Sequence, residues 1–370
     1  MNAQLSHSSW VEIELAAIKD NVRYFSDGSG LNVMAVVKAN AYGHGSLPVV
    51  ETALRAGASW CGVARADEAL ELRSAGIKCP ILVLGFTPIS MIEQLITTNI
   101  SMVGWNIDLL KDFDVIAQRL GLPARIHLKV DTGMGRIGAY YQDAFEIARY
   151  LDGAQGLLFE GLSTHYARAS EADFAPTLDQ DNCFRNVVDL LTDAGICPSL
   201  VHASNSATAI SRPDLSWNMI RLGIAMYGLD PSDDCKCPDD LRPALTWKTQ
   251  LSQVKHVPRG TGISYGHNYV TNGPEIIGTI PIGYADGYRR HGEKIVLVGG
   301  KRVPVVGTVC MDQLMVKLDS VPDAMVGDEV VMIGRQGMDC ISAEEVALRW
   351  NTINYDVVSS IGSRVPRVYI

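Results

Sequence analysis

The sequence predicts an α/β fold: an N-terminal (β/α)8 barrel of the TIM type over residues 1–240, followed by a mostly-β domain over residues 241–370. Three observations carry this. Short apolar, β-branched runs recur eight times in the first part of the chain, and helical spacing fills many of the gaps between them. After Asp240 the texture changes to strand-like runs broken by Gly and Pro.

The eight runs are Val33–Val37, Trp60–Ala64, Ile81–Leu84, Ser101–Trp105, Arg125–Val130, Leu157–Leu162, Leu200–His202 and Met219–Tyr227. Being apolar almost throughout, they suit strands covered on both faces, as in a closed parallel barrel. Among the gaps, Leu109, Phe113, Ile116 and Leu120 repeat at helical spacing ahead of Gly121, and Ser90 with Glu93 reads as a capping box. Ser206–Asn218 leaves room for only a short crossover helix. In the second domain, Glu275–Ile282, Lys294–Val298, Val303–Met315 and Glu329–Ile333 read as strands. One helix, Ser342–Trp350, interrupts them and opens on a Ser342/Glu345 capping pair.

A chain of 370 residues, 47% hydrophobic and 20% charged, can bury a large core. Its formal net charge of -9, with no cluster of Lys and Arg, argues against nucleic acid as a partner. No apolar stretch is long enough to span a bilayer, and Met1–Glu12 lacks the basic-then-apolar pattern of an export signal, so a soluble cytoplasmic protein is expected. The eight cysteines show no CxxC spacing. Cys235 and Cys237 lie in the polar run Pro231–Asp240, which reads as a surface loop rather than a metal or redox pair.

In a parallel barrel the chemistry sits where the strands end, so the polar residues after each run matter most. Lys38 directly ends the first run and is followed by Ala39-Asn40-Ala41-Tyr42-Gly43-His44-Gly45. A lysine there is partly desolvated and more readily neutral and nucleophilic; a lysine snorkelling to water is the plainer alternative. Gly133, Gly135 and Gly138 match GxGxxG behind a strand, but this is not the first βα unit, and the acid required further on could only be Glu160, which ends no clean strand. Lys129, Asp131 and Arg136 read better as polar groups at the barrel mouth, or as an ion-pair network. The last strands end at Thr164-His165, at His202–Ala207 and at Arg221–Ile224. A phosphate in such barrels sits by the final loops, and Ser206, Gly223 and Ile224 suit that task. His165 and His202, taken singly, read as hydrogen-bonded core histidines, with no third ligand to suggest a metal.

Seven motifs in one order, spanning the chain, then carry a resemblance. AVVKANAYGHG (35–45), KVDTGMGRIG (129–138), HASNSA (202–207), RLGIAMYG (221–228), GISYG (262–266), IGYADGY (282–288) and CMDQ (310–313) are similar to those of the alanine racemase family, enzymes of pyridoxal-phosphate fold type III. The resemblance implies that Lys38 carries pyridoxal 5'-phosphate and that Tyr42, Asn205, Ser206, Gly223, Ile224 and Tyr355 surround its phosphate. It implies that Arg221 faces the pyridine nitrogen, that His165 also stands at the cofactor, and that a chain through His165 and Arg221 helps the hydroxyl of Tyr265 to ionise. Tyr265 and Met311 would reach the pocket from the second subunit of a homodimer. Arg136 would hold the substrate carboxylate or tune Tyr265, with Lys129 carbamylated to orient it, and Lys129, His202, Tyr284 and Asp312 would play supporting parts.

Such a chain would racemise alanine with two proton carriers, Lys38 on one face and Tyr265 on the other, making D-alanine for peptidoglycan precursors. A racemase for serine or other small amino acids is the near alternative. The barrel-plus-β decarboxylases are disfavoured by Arg221, since decarboxylation is helped by a protonated ring nitrogen facing a carboxylate. A non-catalytic pyridoxal-phosphate carrier of one domain leaves Tyr265 unexplained.

Overall fold

In the computed structural model, which describes residues 7–27 and 30–370, eight parallel strands stand side by side as a nearly closed barrel. Their order is Met219–Leu222, Asn32–Val36, Trp60–Val63, Ile81–Val83, Ser101–Gly104, Ala124–Asp131, Leu157–Ser163 and Leu200–His202. Each falls on one of the eight runs. The ring closes without a ladder: Asn218 N donates to Val201 O at 3.2 Å and Arg221 N to Ser204 O at 3.3 Å. Met34, Trp60, Leu82, Val103, Leu200 and Met219 form one buried apolar cluster. Trp60, Leu200 and Met219 each open their strand. Each such side chain contributes roughly 1.5–3 kcal/mol on burial.

The connecting helices follow local chemistry. Ile107–Leu120 starts at Asn106, whose side chain accepts from Leu109 N at 2.8 Å, and ends at Gly121 with φ 64°. It buries Leu110, Phe113 and Ala117, one stripe at helical spacing. Ile89–Thr97 departs from expectation: Pro88 is its extended N-cap, so Ser90 already lies in the first turn and the Ser90/Glu93 capping box does not form. Glu93 pairs with Arg119 instead. The last crossover is the short helix Ser206–Ser211.

This unit comprises the described residues of Ala17–Ala41 and Ser46–Arg242. A second comprises residues 7–16, Tyr42–Gly45 and Pro243–Ile370. Its main sheet runs Gln253–Val257, Glu275–Ile280, Leu314–Lys317, Lys301–Val306, Ile295–Val298, Glu329–Gln336, Leu245–Gln250, Ser9–Ile13 and Arg367–Tyr369. Ser9–Ile13 pairs antiparallel with Leu245–Gln250 and parallel with Arg367–Tyr369, a long-range pairing with no local signal. The expected run Val303–Met315 divides into two strands around Gly307, which has φ 71° and approaches Ile263 O too closely for a Cβ. Helix Ala343–Arg349 starts at Ser342, whose hydroxyl accepts from Glu345 N at 3.1 Å.

Among the described residues no helix is long and apolar enough to cross a membrane, and no group of His, Cys, Asp or Glu is placed to hold a metal. Residues 231–240 form no helix or strand, but Cys235 is buried, its sulfur 3.3 Å from Ser211 Oγ. Met1–Ser6, the start of the stretch read for an export signal, lies outside the described residues.

Candidate active site

The strand Asn32–Val36 leads through Val37 into Lys38, which is half-buried at its end. Burial and then the charge of Arg136 lower the pKa of the Lys38 amine; Glu68 opposes them and Arg221 adds to them. The four residues that follow, Ala39, Asn40, Ala41 and Tyr42, all have φ between 51° and 53°. A left-handed turn of non-glycine residues costs roughly 1–2 kcal/mol per residue, so its surroundings must impose it. Ala39 N donates to Glu68 Oε1 at 2.6 Å, Ala41 N to Val37 O at 2.8 Å and Ser46 N to Asn40 Oδ1 at 2.9 Å. Strained backbone thus lies next to a partly desolvated lysine, a combination that makes Lys38 a candidate site residue.

Strand Ala124–Asp131 alternates strictly. Ala124, Ile126, Leu128 and Val130 take one face and Arg125, His127, Lys129 and Asp131 the other. Lys129 is buried and donates to Val130 O at 2.9 Å. Burial and the charge of Arg221, opposed by Asp131 and reinforced by Arg136, bring its pKa down to about 7. Asp131 Oδ1 accepts from the N–H groups of Gly133, Met134 and Gly135 at 3.0, 2.9 and 3.1 Å. The glycine-rich turn therefore wraps a carboxylate of its own chain, which explains the GxGxxG pattern without a dinucleotide. Arg136 stands exposed beyond it.

Arg221, on the last strand, is buried. Its Nη1 lies 2.8 Å from His202 Nδ1, and its Nη2 faces Thr164 O at 2.9 Å, Ala203 O at 2.8 Å and His165 Nδ1 at 2.9 Å. All four partners are uncharged acceptors, since burial and the neighbouring Arg221 push both histidines well below the usual imidazole pKa. Burial lowers the pKa of Arg221 itself to about 10, which leaves it cationic at neutral pH. Beside it, Ser206 Oγ accepts from Gly223 N at 3.0 Å and Ala225 N at 3.3 Å, joining the two final loops. Ile224 opens the 3-10 turn Ile224–Tyr227. Asn205 caps helix Ser206–Ser211 by accepting from Thr208 N at 3.0 Å.

The remaining expected residues lie in the β unit. Tyr42 is buried, with its ring 6.1 Å from that of Tyr355. Tyr265 follows Ser264 (φ 65°) and is 72% exposed; Met311 is 53% exposed. Tyr284 N donates to Cys310 O at 3.1 Å and Ala285 N to Met311 O at 3.0 Å, which ties those two loops together. Asp312 accepts from Arg364 at 2.8 Å.

No sequence motif singles out His127, and Glu160 stands out only as the acid a dinucleotide fingerprint would need; the structure brings the two together. His127 Nδ1 is 2.8 Å from His202 Nε2, and its Nε2 is 3.3 Å from Glu160 Oε2. Glu160 also accepts from Ser101 and, at 3.0 Å, from Arg125. The polar alternation of residues 125–131 was the available signal.

The chain matches two family models, the alanine racemase N-terminal domain over residues 13–231 and the alanine racemase C-terminal domain over residues 244–369. It is 42% identical over 373 residues to the alanine racemase of Halothermothrix orenii, covering 100% of this chain and 98% of that one. It is 45% identical over 368 residues to that of Desulforamulus reducens, covering 98% of both. Among solved structures, alanine racemase from Bacillus anthracis with bound L-Ala-P is similar at a TM-score of 0.94 and 40% identity, covering 100% of this chain and 96% of that one. The alanine racemase of Clostridium difficile 630 is similar at 0.94 and 38%, covering 99% and 97%.

Proposed function

The chain belongs to the alanine racemase family, and from that premise we propose that it interconverts L- and D-alanine with pyridoxal 5'-phosphate held on Lys38, in sites shared across a homodimer. The donor set fits that cofactor. Lys38 offers a primary amine of lowered proton affinity, as condensation with an aldehyde requires. Ser206, Gly223 and Ile224, with Asn205, gather a hydroxyl and backbone N–H groups where barrels bind phosphate. Tyr42 and Tyr355 complete the proposed phosphate surroundings.

When bound, the cofactor supplies an electron sink that acidifies the substrate's α-hydrogen. Arg221 would face its ring nitrogen as a group with donors only, and so leave that nitrogen without a proton. A weakened sink suppresses side reactions and suits racemisation. Lys38 takes or returns the α-proton on one face. Tyr265 of the second subunit serves the other, its hydroxyl supported by the chain through His165 and Arg221. The exposure of Tyr265, Tyr284 and Met311 in the isolated chain supports a partner's covering them. Arg136 holds the substrate carboxylate. Lys129, whose pKa of about 7 leaves much of its amine neutral, can take up carbon dioxide as a carbamate and orient Arg136. Supply of D-alanine to peptidoglycan precursors in the cytoplasm is part of the same proposal and rests on the family.

The observation that carries this reading is Arg221 held by four uncharged acceptors, with no carboxylate among them. A chiral assay tests it, with L-alanine, L-serine and L-lysine offered separately to the purified protein. D-alanine should form fastest. Preferred turnover of serine would move the assignment within the racemases, and amine products or no turnover would end it.

A further inference from the structure

We infer that His127 and Glu160 are positioning residues for Arg221, fixing the tautomer of His202 so that each hydrogen bond from the guanidinium to the Glu160 carboxylate runs in one direction. The functional meaning rests on the role proposed for Arg221; the proton positions follow from geometry alone.

Arg221 carries only N–H donors, so His202 Nδ1, 2.8 Å from Nη1, must accept. His202 is fully buried and neutral, and its single proton is therefore on Nε2. That nitrogen lies 2.8 Å from His127 Nδ1, which must accept in turn. The proton of His127 is then on Nε2, from which it donates to Glu160 Oε2 at 3.3 Å. The reverse direction fails: a proton on His127 Nδ1 would leave His202 accepting at both nitrogens with no proton of its own.

The far end is built to stay anionic. Burial pushes the Glu160 carboxyl up, but hydrogen bonds from His127 and Ser101, with the charge of Arg125, outweigh it and hold the pKa below the usual carboxylate range. The ring of His127 is equally constrained. It packs edge-on to Trp60 at 5.6 Å, and a Cβ at Gly161 would clash with the imidazole at Nδ1. Gly161 thus leaves the space that His127 occupies.

The arrangement offsets a buried cation without placing a carboxylate against it. A negative group two imidazoles away polarises the chain toward itself, and Arg221 remains fixed in direction. Direct contact with a carboxylate would instead compete for the donors that Arg221 presents to a ligand.

The test is nuclear magnetic resonance of the purified protein with 15N-labelled histidine rings, assigned by single substitutions at the eight histidines. His127 and His202 should each appear neutral, protonated at Nε2 and bare at Nδ1. A proton on Nδ1 of either, or an imidazolium at either, overturns the inference. Glu160→Gln keeps an acceptor but removes the charge. It should move the His202 Nε2 signal and lower kcat by about 10-fold, the low end of what losing an outer partner costs at a metal site, with KM little changed. If kcat and the His202 signals both stay as in the wild type, Glu160 positions nothing. The proton positions are read without turnover, so a protein that fails the chiral assay yet shows them would sink the racemase reading alone.

Discussion

Arg221 in the barrel and Arg302 in the β unit each engage several acceptors, and the chemistry of those acceptors sets them apart. Arg302 meets Asp339 at 2.9 Å, Glu345 at 2.5 Å and Cys340 O at 2.6 Å, and the two carboxylates hold its pKa above the usual guanidinium value. It ties the strand Lys301–Val306 to the strand Asp339–Ile341 and the helix Ala343–Arg349. Arg221 meets two imidazoles and two carbonyls, and burial lowers its pKa to about 10. A cation neutralised by adjacent carboxylates is a staple. One kept buried among neutral dipoles retains an electrostatic field to apply to a ligand, as the role proposed for Arg221 requires.

The division is sharpest at Tyr265, the proposed chemical contribution of the β unit. The proposal assigns the α-hydrogen of the D-isomer to Lys38 and that of the L-isomer to Tyr265, so Tyr265→Phe should go on exchanging the α-hydrogen of D-alanine in deuterated water. Exchange from L-alanine should fall about 10²- to 10⁴-fold, as for a lost general base. Equal losses from both isomers, with the dimer preserved, would point to one carrier for both faces.

Next in size is Arg221→Gln. Removing a preorganised electrostatic group should lower kcat by about 10²- to 10³-fold and raise the share of turnovers diverted to pyruvate, measured beside D-alanine in one reaction. Unaltered partition would mean that Arg221 is structural, as Arg302 is.

A smaller effect is expected at Lys129, whose pKa is about 7 in the fold against an ordinary lysine value when unfolded. Between about pH 7 and pH 10 the unfolded chain binds more protons, so this residue's penalty is full below about pH 7 and relieved as pH rises. In buffer freed of carbon dioxide, which keeps the amine uncarbamylated, Lys129→Met should therefore be more stable than the wild type near pH 6, by urea midpoint, and lose that advantage toward pH 10. A difference constant with pH would contradict the depressed pKa.

The smallest effect is Arg302→Gln. A half-exposed ion-pair network should contribute about 1 kcal/mol or less, a Tm change of roughly 1–3 °C, with kcat unaltered. A large fall in kcat would erase the contrast with Arg221.

The barrel strands were legible because β-branched runs are local signals; Lys38 directly follows the first run, whereas Arg221 lies within the last strand and Ser206 opens the short helix after the seventh. The pairing of Ser9–Ile13 with Leu245–Gln250 was not, since nothing near residue 9 specifies a partner so far along the chain. The left-handed turn at Ala39–Tyr42 was hidden for another reason. Glycines mark such backbone, and here the strained residues precede Gly43. His127 was not legible because it belongs to none of the motifs, and Glu160 stood out only as the acid of a dinucleotide fingerprint that the chain does not have. Only the alternation of Arg125, His127, Lys129 and Asp131 reveals a polar face inside the barrel.

The claim that Lys38 holds the cofactor meets its most direct test in borohydride reduction of the purified, amine-free protein, followed by peptide mass mapping. The account predicts a yellow protein whose colour is bleached by reduction, with the cofactor's mass fixed to the peptide containing Lys38, and no such adduct in Lys38→Ala. An adduct on another lysine, or Lys38→Ala retaining the same absorbance without added amines, would contradict it.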